Sequence, residues 1–204
     1  MLVFIGLGLH GEGISLQGLR EARGADIVYA ELYTSLVPGL DLKKLEREIG
    51  KSVHVVDRET VEQHPDEILV AAKTHKVALL VPGDPMVATT HVDLRLRAAR
   101  AGIRTKIVHA ASIASAAAGL AGLQSYKFGR SATVPFPENP SQTPYEVLAE
   151  NRGRGLHTLL LLDIRAEQKR AMTANEAMEI MLGLEAKLRK NAFTPSTLAV
   201  VVAR

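Results

Sequence analysis

Short apolar runs that alternate with helical segments constrain the fold more than any other feature of this sequence. The runs in the first half cover residues 2–5, 26–30, 53–56, 77–81 and 105–109. Such alternation predicts parallel strands joined by right-handed crossovers. The run at 77–81 shows no polar alternation, which is typical of a central strand covered by helices on both faces. A ligand is expected at the carboxyl ends of such strands.

The second half of the chain has a different pattern, which indicates a second domain. It changes around Tyr126-Lys127-Phe128-Gly129-Arg130, and Pro135, Pro137, Pro140 and Pro144 follow. We therefore expect an N-terminal α/β domain over 1–128 and a C-terminal α/β domain with a mixed sheet over 129–204. Further strands are predicted at 132–134, 157–162 and 197–203. A short helix begins near Tyr145, and a long helix runs from a capping box at Thr173 and Glu176 to about Lys190. The chain stops directly after an apolar run, so we expect the second domain to be truncated.

The composition narrows the class of protein. In 204 residues, 25 basic side chains face 22 acidic ones, and the signs are interspersed, which gives little support to nucleic-acid binding. The absence of cysteine excludes disulfides, thiolate catalysis and cysteine-bound metals, and it favours a cytosolic location. The stretch 107–123 is too short and too polar for a membrane span. We expect a cytoplasmic protein with no metal site, no nucleic acid and no membrane partner.

A glycine-rich turn follows the first strand. Gly6-Leu7-Gly8-Leu9-His10-Gly11 matches the G-x-G-x-x-G pattern, and Glu31 lies about twenty residues on, as in dinucleotide sites. Gly13 and a helix that starts only near Ser15 argue against that assignment. The glycines indicate close backbone approach to another group, and a tight turn without a ligand is the alternative.

Pro82-Gly83-Asp84-Pro85 forms a second candidate at the end of the central strand. Two prolines restrict the backbone, so the Asp84 carboxylate is displayed in a reproducible direction. Such a carboxylate suits a ribose hydroxyl or an ammonium group. The alternative is a β-turn in which Asp84 is only a local acceptor.

The third candidate is His109-Ala110-Ala111-Ser112-Ile113-Ala114-Ser115, which joins the fifth strand to a helix. Ser112 is a predicted N-cap, and the N–H groups behind it could bind a carboxylate or carbonyl. Capping alone would also explain Ser112. Because all three loops follow parallel strands, we expect them to open on the same edge of one sheet.

Together these motifs resemble the tetrapyrrole-methylase class of methyltransferases, which bind S-adenosylmethionine in a folded pose between two α/β domains. The resemblance covers nearly the whole chain. It includes segments that are similar to one branch of the class, which acts on translation elongation factor 2 in diphthamide biosynthesis. These segments begin at Tyr33, Gly83, Tyr126, Leu156 and Met172.

The resemblance implies cofactor contacts at Leu9, Asp84, Val87, Ser112, Ile113 and Leu162. It also implies a homodimer that transfers methyl groups repeatedly to the amine of a modified histidine on elongation factor 2. S-adenosylhomocysteine is the product of each transfer. A sulfonium is already activated, so the protein must mainly align the reactants.

We expect Asp84 to position the cofactor and no single side chain to act as an indispensable base, since the motifs show no close His/Asp/Ser group. His91 is the first residue to examine. Three alternatives stay open: a same-fold methyltransferase acting on a tetrapyrrole precursor or ribosomal RNA, a nicotinamide-dependent oxidoreductase using the Gly6-Gly8-Gly11 turn, and a non-catalytic binding module.

Overall fold

The computed structural model describes residues 1–165, 168 and 170–203. The chain folds into two compact units, Met1–Ile113 and Ala114–Arg204. The sequence placed the boundary after residue 128, where the proline-rich stretch begins. In the structure, residues 114–128 group with the second unit.

The first unit alternates strands and helices along its whole length. Its elements are β1 (Leu2–Gly6), α1 (Leu16–Arg23), β2 (Ile27–Glu31), α2 (Leu42–Ile49), β3 (His54–Val56), a π-helical turn (Glu59–Gln63), α3 (Asp66–Thr74), β4 (Val77–Val81), α4 (His91–Arg100) and β5 (Thr105–Val108); α5 (Ile113–Leu120) begins at the boundary. Each of the five apolar runs forms a strand, as predicted.

The five strands form one parallel sheet in the order β3-β2-β4-β1-β5. Every residue of β1 and β4 is buried, because these strands lie inside the sheet. The register pairs Leu2 with Val77 and Gly6 with Val81, so β1 and β4 end level with each other. Their following loops therefore leave the sheet at the same edge.

Helices cover both faces of this sheet. On one face, Val3, Ile5 and Leu80 pack in one core with residues of α1 and α2. Strand side chains alternate, so Phe4 and Leu79 lie on the opposite face, where α3 contacts β4 and α4 contacts β5. This double cover confirms the predicted α/β class.

The second unit is also α/β. After α5 and a 3₁₀ turn (Ser125–Lys127), it contains β6 (Ala132–Val134), α6 (Thr143–Gly153), β7 (Leu160–Leu162), β8 (Ile164–Arg165), β9 (Arg170–Ala171) and α7 (Ala174–Leu188). The pair β6–β7 is parallel and the pair β8–β9 is antiparallel, and they form two separate two-stranded sheets.

The core of the second unit lies around Phe136, Tyr145 and Met181, which are almost fully buried. The predicted capping box of α7 is present, since Thr173 and Glu176 each accept from the other's backbone N–H. The carboxylate of Glu185 accepts from the Tyr145 hydroxyl at 2.8 Å and from three backbone N–H groups after α7. These bonds connect the end of α7 to α6.

The strand predicted at 197–203 is wrong. Leu198 is 91% exposed, and residues 197–203 carry no strand pairing in the described part of the chain. Apolar and β-branched residues indicate only a propensity, and a strand also needs a neighbouring backbone to pair with. Within the described residues, no helix is long and apolar enough to cross a membrane.

Candidate functional site

The loops that follow β1 and β4 are bonded to each other at the edge of the sheet. Gly8 N donates to Gly83 O at 3.1 Å, and Gly83 N donates to Gly8 O at 2.9 Å. Both residues have left-handed backbone angles, with φ of 73° and 67°, which glycine adopts without strain. The glycine turn and the Pro-Gly-Asp-Pro loop are thus one structure.

The loop after β5 joins them because Gly6 has no side chain. A Cβ atom at Gly6 would lie 2.6 Å from Ala110 Cβ and 2.6 Å from Gly83 O. Gly6 ends β1, which lies between β4 and β5. The loops after β4 and β5 therefore meet across the end of β1, which confirms the predicted convergence of the three loops.

Asp84 holds this junction together. Its buried carboxylate accepts from Met86 N at 2.9 Å through Oδ1 and from Ala110 N at 3.2 Å through Oδ2. The bond to Met86 is the local turn contact considered in the sequence. The bond to Ala110 adds a role that a local turn would not need, since it connects two loops.

Oδ2 of Asp84 also lies 2.8 Å from His109 Nδ1, and the His109 side chain is 70% exposed. The sequence did not indicate this pair, because the residues lie 25 positions apart and on different loops. The pair could have been found from the order of the elements, because Asp84 and His109 each follow a parallel strand directly or closely. Asp84 and His109 therefore form a close Asp–His pair, although no such pair was visible in the sequence motifs.

The other predicted contacts of the first unit lie on the same loops. Leu9 follows Gly8 and is half-buried, Val87 is 41% exposed, Ser112 is buried, and Ile113 begins α5. Leu162 belongs to the second unit, where it ends β7 and is partly exposed. That these six residues contact a cofactor stays a prediction.

The junction leaves room for a ligand at Gly83. A Cβ atom built on Gly83 would meet only Ala111 O, at 4.0 Å. The residues around it offer an anchored carboxylate, a buried serine and the apolar side chains of Leu9, Val87 and Ile113. This combination fits a nucleoside that carries an amino acid moiety.

One strand away, Glu31 is fully buried at the end of β2. Its carboxylate accepts from Thr34 Oγ1 at 2.6 Å, Thr34 N at 3.2 Å and Tyr33 N at 3.2 Å. Burial raises the pKa of Glu31 to about 7, although these hydrogen bonds and the charge of Arg58 act in the opposite direction. Glu31 is therefore enclosed by its own chain and is not available to a ribose hydroxyl.

His91 lies against Glu31, with Nε2 3.5 Å from Glu31 Oε1. Its Nδ1 is bonded to the Thr89 hydroxyl. Burial lowers the pKa of His91 to about 4, so the imidazole is neutral at physiological pH. Because its side chain has no exposed surface, His91 supports the fold where α4 begins and does not face a ligand.

The family model for tetrapyrrole (corrin/porphyrin) methylases matches residues 1–204. The chain belongs to this family. The family and the geometry of Glu31 both argue against the nicotinamide-dependent oxidoreductase.

Relatives define the branch. A diphthine synthase of Methanosarcina acetivorans is 50% identical over all of this chain and 79% of its own length. One from Methanocaldococcus jannaschii is 46% identical over all of this chain and 81% of its own length. A crystal structure of a diphthine synthase superposes with a TM-score of 0.83 at 44% identity, covering 91% of this chain and 72% of that one.

The chain is accordingly an S-adenosylmethionine-dependent methyltransferase of the diphthine synthase branch.

Proposed function

We propose that this chain transfers methyl groups from S-adenosylmethionine to the amine of the modified histidine of translation elongation factor 2, repeatedly, in diphthamide biosynthesis. The observation that carries this proposal is the junction of the loops after β1, β4 and β5, in a chain that is about 50% identical to diphthine synthases. Those loops occupy the edge of a parallel sheet where ligands of α/β proteins bind.

Leu9, Asp84, Val87, Ser112, Ile113 and Leu162 would hold the cofactor, and S-adenosylhomocysteine would leave the same site. When bound, the cofactor supplies a methyl group already activated by its attachment to a sulfonium. The chain contributes binding, orientation and proton handling. Asp84 is already fixed by backbone N–H groups, so it needs no rearrangement before it can position a ligand.

Acceptors of other kinds receive less support. A tetrapyrrole precursor or ribosomal RNA would suit the fold, but the relatives are diphthine synthases. The interspersed charges and the few aromatic side chains also offer little to RNA. A non-catalytic binding module would bind the cofactor without turnover.

The deciding experiment incubates the chain with radiolabelled S-adenosylmethionine and unmethylated elongation factor 2 from the same source. Label on the factor is expected. Label on ribosomal RNA or on a tetrapyrrole would replace the proposed acceptor, and calorimetric binding of S-adenosylhomocysteine without any turnover would favour the binding module.

The cofactor contacts are tested by a matched pair of substitutions. Val87→Arg places a charged side chain on the loop after β4, and Val70→Arg places one at an exposed position in the middle of α3. We expect Val87→Arg to weaken binding of S-adenosylhomocysteine by about tenfold or more, since burying roughly one apolar side chain contributes 1.5–3 kcal/mol. Equal affinity of both variants for S-adenosylhomocysteine would show that Val87 does not contact the cofactor.

We further propose that the chain works in the cytoplasm and as a homodimer, as the family resemblance implies. Light scattering after size-exclusion chromatography is expected to give twice the mass of one chain. A monomer mass at micromolar concentration would contradict the dimer.

A further inference from the structure

His109 and Asp84 form a pair in which one partner is fixed and the other is accessible. The Asp84 carboxylate is buried, and Met86 N and Ala110 N hold it in one orientation. The His109 side chain is 70% exposed, and its Nδ1 atom lies 2.8 Å from Asp84 Oδ2. The pair therefore presents an imidazole with a fixed attachment and an accessible ring.

The fixed carboxylate selects a tautomer. Asp84 Oδ2 is an acceptor, so His109 Nδ1 carries a hydrogen and donates to it. In the neutral imidazole, Nε2 then keeps its lone pair and is the nitrogen that can take up a proton. A carboxylate that orients a histidine in this way is a recurring feature of general base catalysis.

A second exposed histidine of this edge, His10, is arranged differently. His10 lies on the loop after β1, and its Nδ1 accepts from Glu12 N at 3.1 Å. That bond places the hydrogen of the neutral ring on Nε2, which is then a donor. His10 thus lacks the feature that sets His109 apart.

We infer that His109 is the catalytic base that removes a proton from the substrate ammonium before each methyl transfer. This inference rests on the proposed function, because it assumes an amine acceptor. In the step, an N–H bond of the ammonium breaks and its electron pair stays on nitrogen. A new N–H bond forms at His109 Nε2, and the imidazole becomes imidazolium.

Repeated methylation requires His109 to remove a proton before each transfer. An alkyl ammonium group is almost entirely protonated at pH 7, and it has no free electron pair for a new bond. Each transfer to an amine that still carries hydrogen yields another ammonium, which must lose a proton before the next transfer. Because His109 is exposed, its proton can pass to water between rounds. Asp84 stabilises the imidazolium, and it is bonded to that ring already.

His109→Asn separates this role from a structural one. The asparagine side-chain amide can replace the Nδ1 donor to Asp84, but it has no basic nitrogen. The matched control is His64→Asn, since His64 is 69% exposed and its Nε2 lies 3.7 Å from the exposed carboxylate of Glu59. Both variants are compared with the parent chain for melting temperature, S-adenosylhomocysteine affinity and single-turnover methylation of elongation factor 2.

We expect His109→Asn to keep its melting temperature and its S-adenosylhomocysteine affinity and to lose about 10²- to 10⁴-fold in methylation rate at pH 7. Its rate should rise tenfold for each pH unit up to about pH 9, because solution pH alone then sets the fraction of free amine. The rate of the parent chain should depend less steeply on pH, because His109 removes the proton within the bound complex. His64→Asn should match the parent chain throughout. Added imidazole should partly restore a His109→Ala variant.

A spectroscopic measurement on the free chain tests the same idea without turnover. Nitrogen-15 NMR of ring-labelled histidine is expected to show His109 with hydrogen on Nδ1 and a bare Nε2 at pH 8. Hydrogen on Nε2 instead would overturn the inference, whatever the chain methylates.

The activity outcomes also separate the two proposals. A parent chain that labels no elongation factor 2 refutes the proposed function. If the parent is active, an equally fast His109→Asn variant with the same pH profile refutes only the base. Parallel loss of cofactor affinity and rate would assign His109 to cofactor positioning and would likewise overturn the inference.

Discussion

Replacing Glu31 with glutamine should remove a specific dependence of stability on pH. Glu31 is a buried carboxyl at the end of β2, and burial raises its pKa from the ordinary 4.5 to about 7. The folded state therefore binds this proton more tightly than the unfolded state does. Ionisation above pH 4.5 consequently favours unfolding, and the resulting penalty is complete only above pH 7.

The magnitude follows from the two pKa values. At about 1.4 kcal/mol per pH unit, a rise from 4.5 to about 7 corresponds to about 3 kcal/mol of stability lost between pH 4.5 and pH 8. Glu31→Gln has nearly the same size and cannot ionise, so it lacks this loss.

The assay is chemical denaturation of both chains at several pH values from 4.5 to 8. The free energy of unfolding of the parent, relative to Glu31→Gln, should fall by about 3 kcal/mol over this range. Glu12→Gln is the control in which the relative stability of the parent should change with pH in the opposite direction. The hydrogen bond from Lys44 lowers the pKa of exposed Glu12. A difference that stays constant, or that grows in favour of the parent at high pH, would refute the reasoning about Glu31.

Three further substitutions test the local geometry. Gly8→Ala should cost more stability than Gly39→Ala. Both glycines have φ near 70°, but a Cβ at Gly8 would lie 2.6 Å from Gly13 O, whereas a Cβ at Gly39 would meet no atom within 4 Å. Calorimetric melting of the two variants should show the smaller loss, about 1 kcal/mol, at Gly39. Thr173→Ala removes the cap of α7 and should cost about 1 kcal/mol in denaturant unfolding, with Thr173→Ser nearly neutral. Gly129→Ala places a Cβ 2.0 Å from Oδ1 of buried Asn151, so it should lower the melting temperature by several degrees, and an unchanged melting temperature would show that Asn151 can move aside.

The sequence predicted the framework of the first unit well because its signals were local and strong. Five apolar runs became five parallel strands, and the level ends of β1 and β4 brought the expected loops together. The start of α1 near Ser15 and the capping box at Thr173 were also confirmed, because a helix cap depends on only a few adjacent residues.

The features that could not be predicted from the sequence depend on contacts between residues that are distant along the chain. The pairs Asp84–His109 and Glu31–His91 join loops and elements that only the sheet brings together. The strand expected at 197–203 failed for a related reason, because pairing depends on a partner that local composition does not reveal.

The position of β1 has a consequence for synthesis on the ribosome. Leu2 pairs with Val77 on one side and Thr105 on the other, so β1 is synthesised before both of its neighbours and must wait for them. At roughly 5–20 residues per second, that wait lasts on the order of 5–20 s for a strand emerging in vivo. Until β4 has emerged, the apolar segment Leu2–Gly6 has no neighbouring strand to pair with, and it is then open to a nascent-chain chaperone.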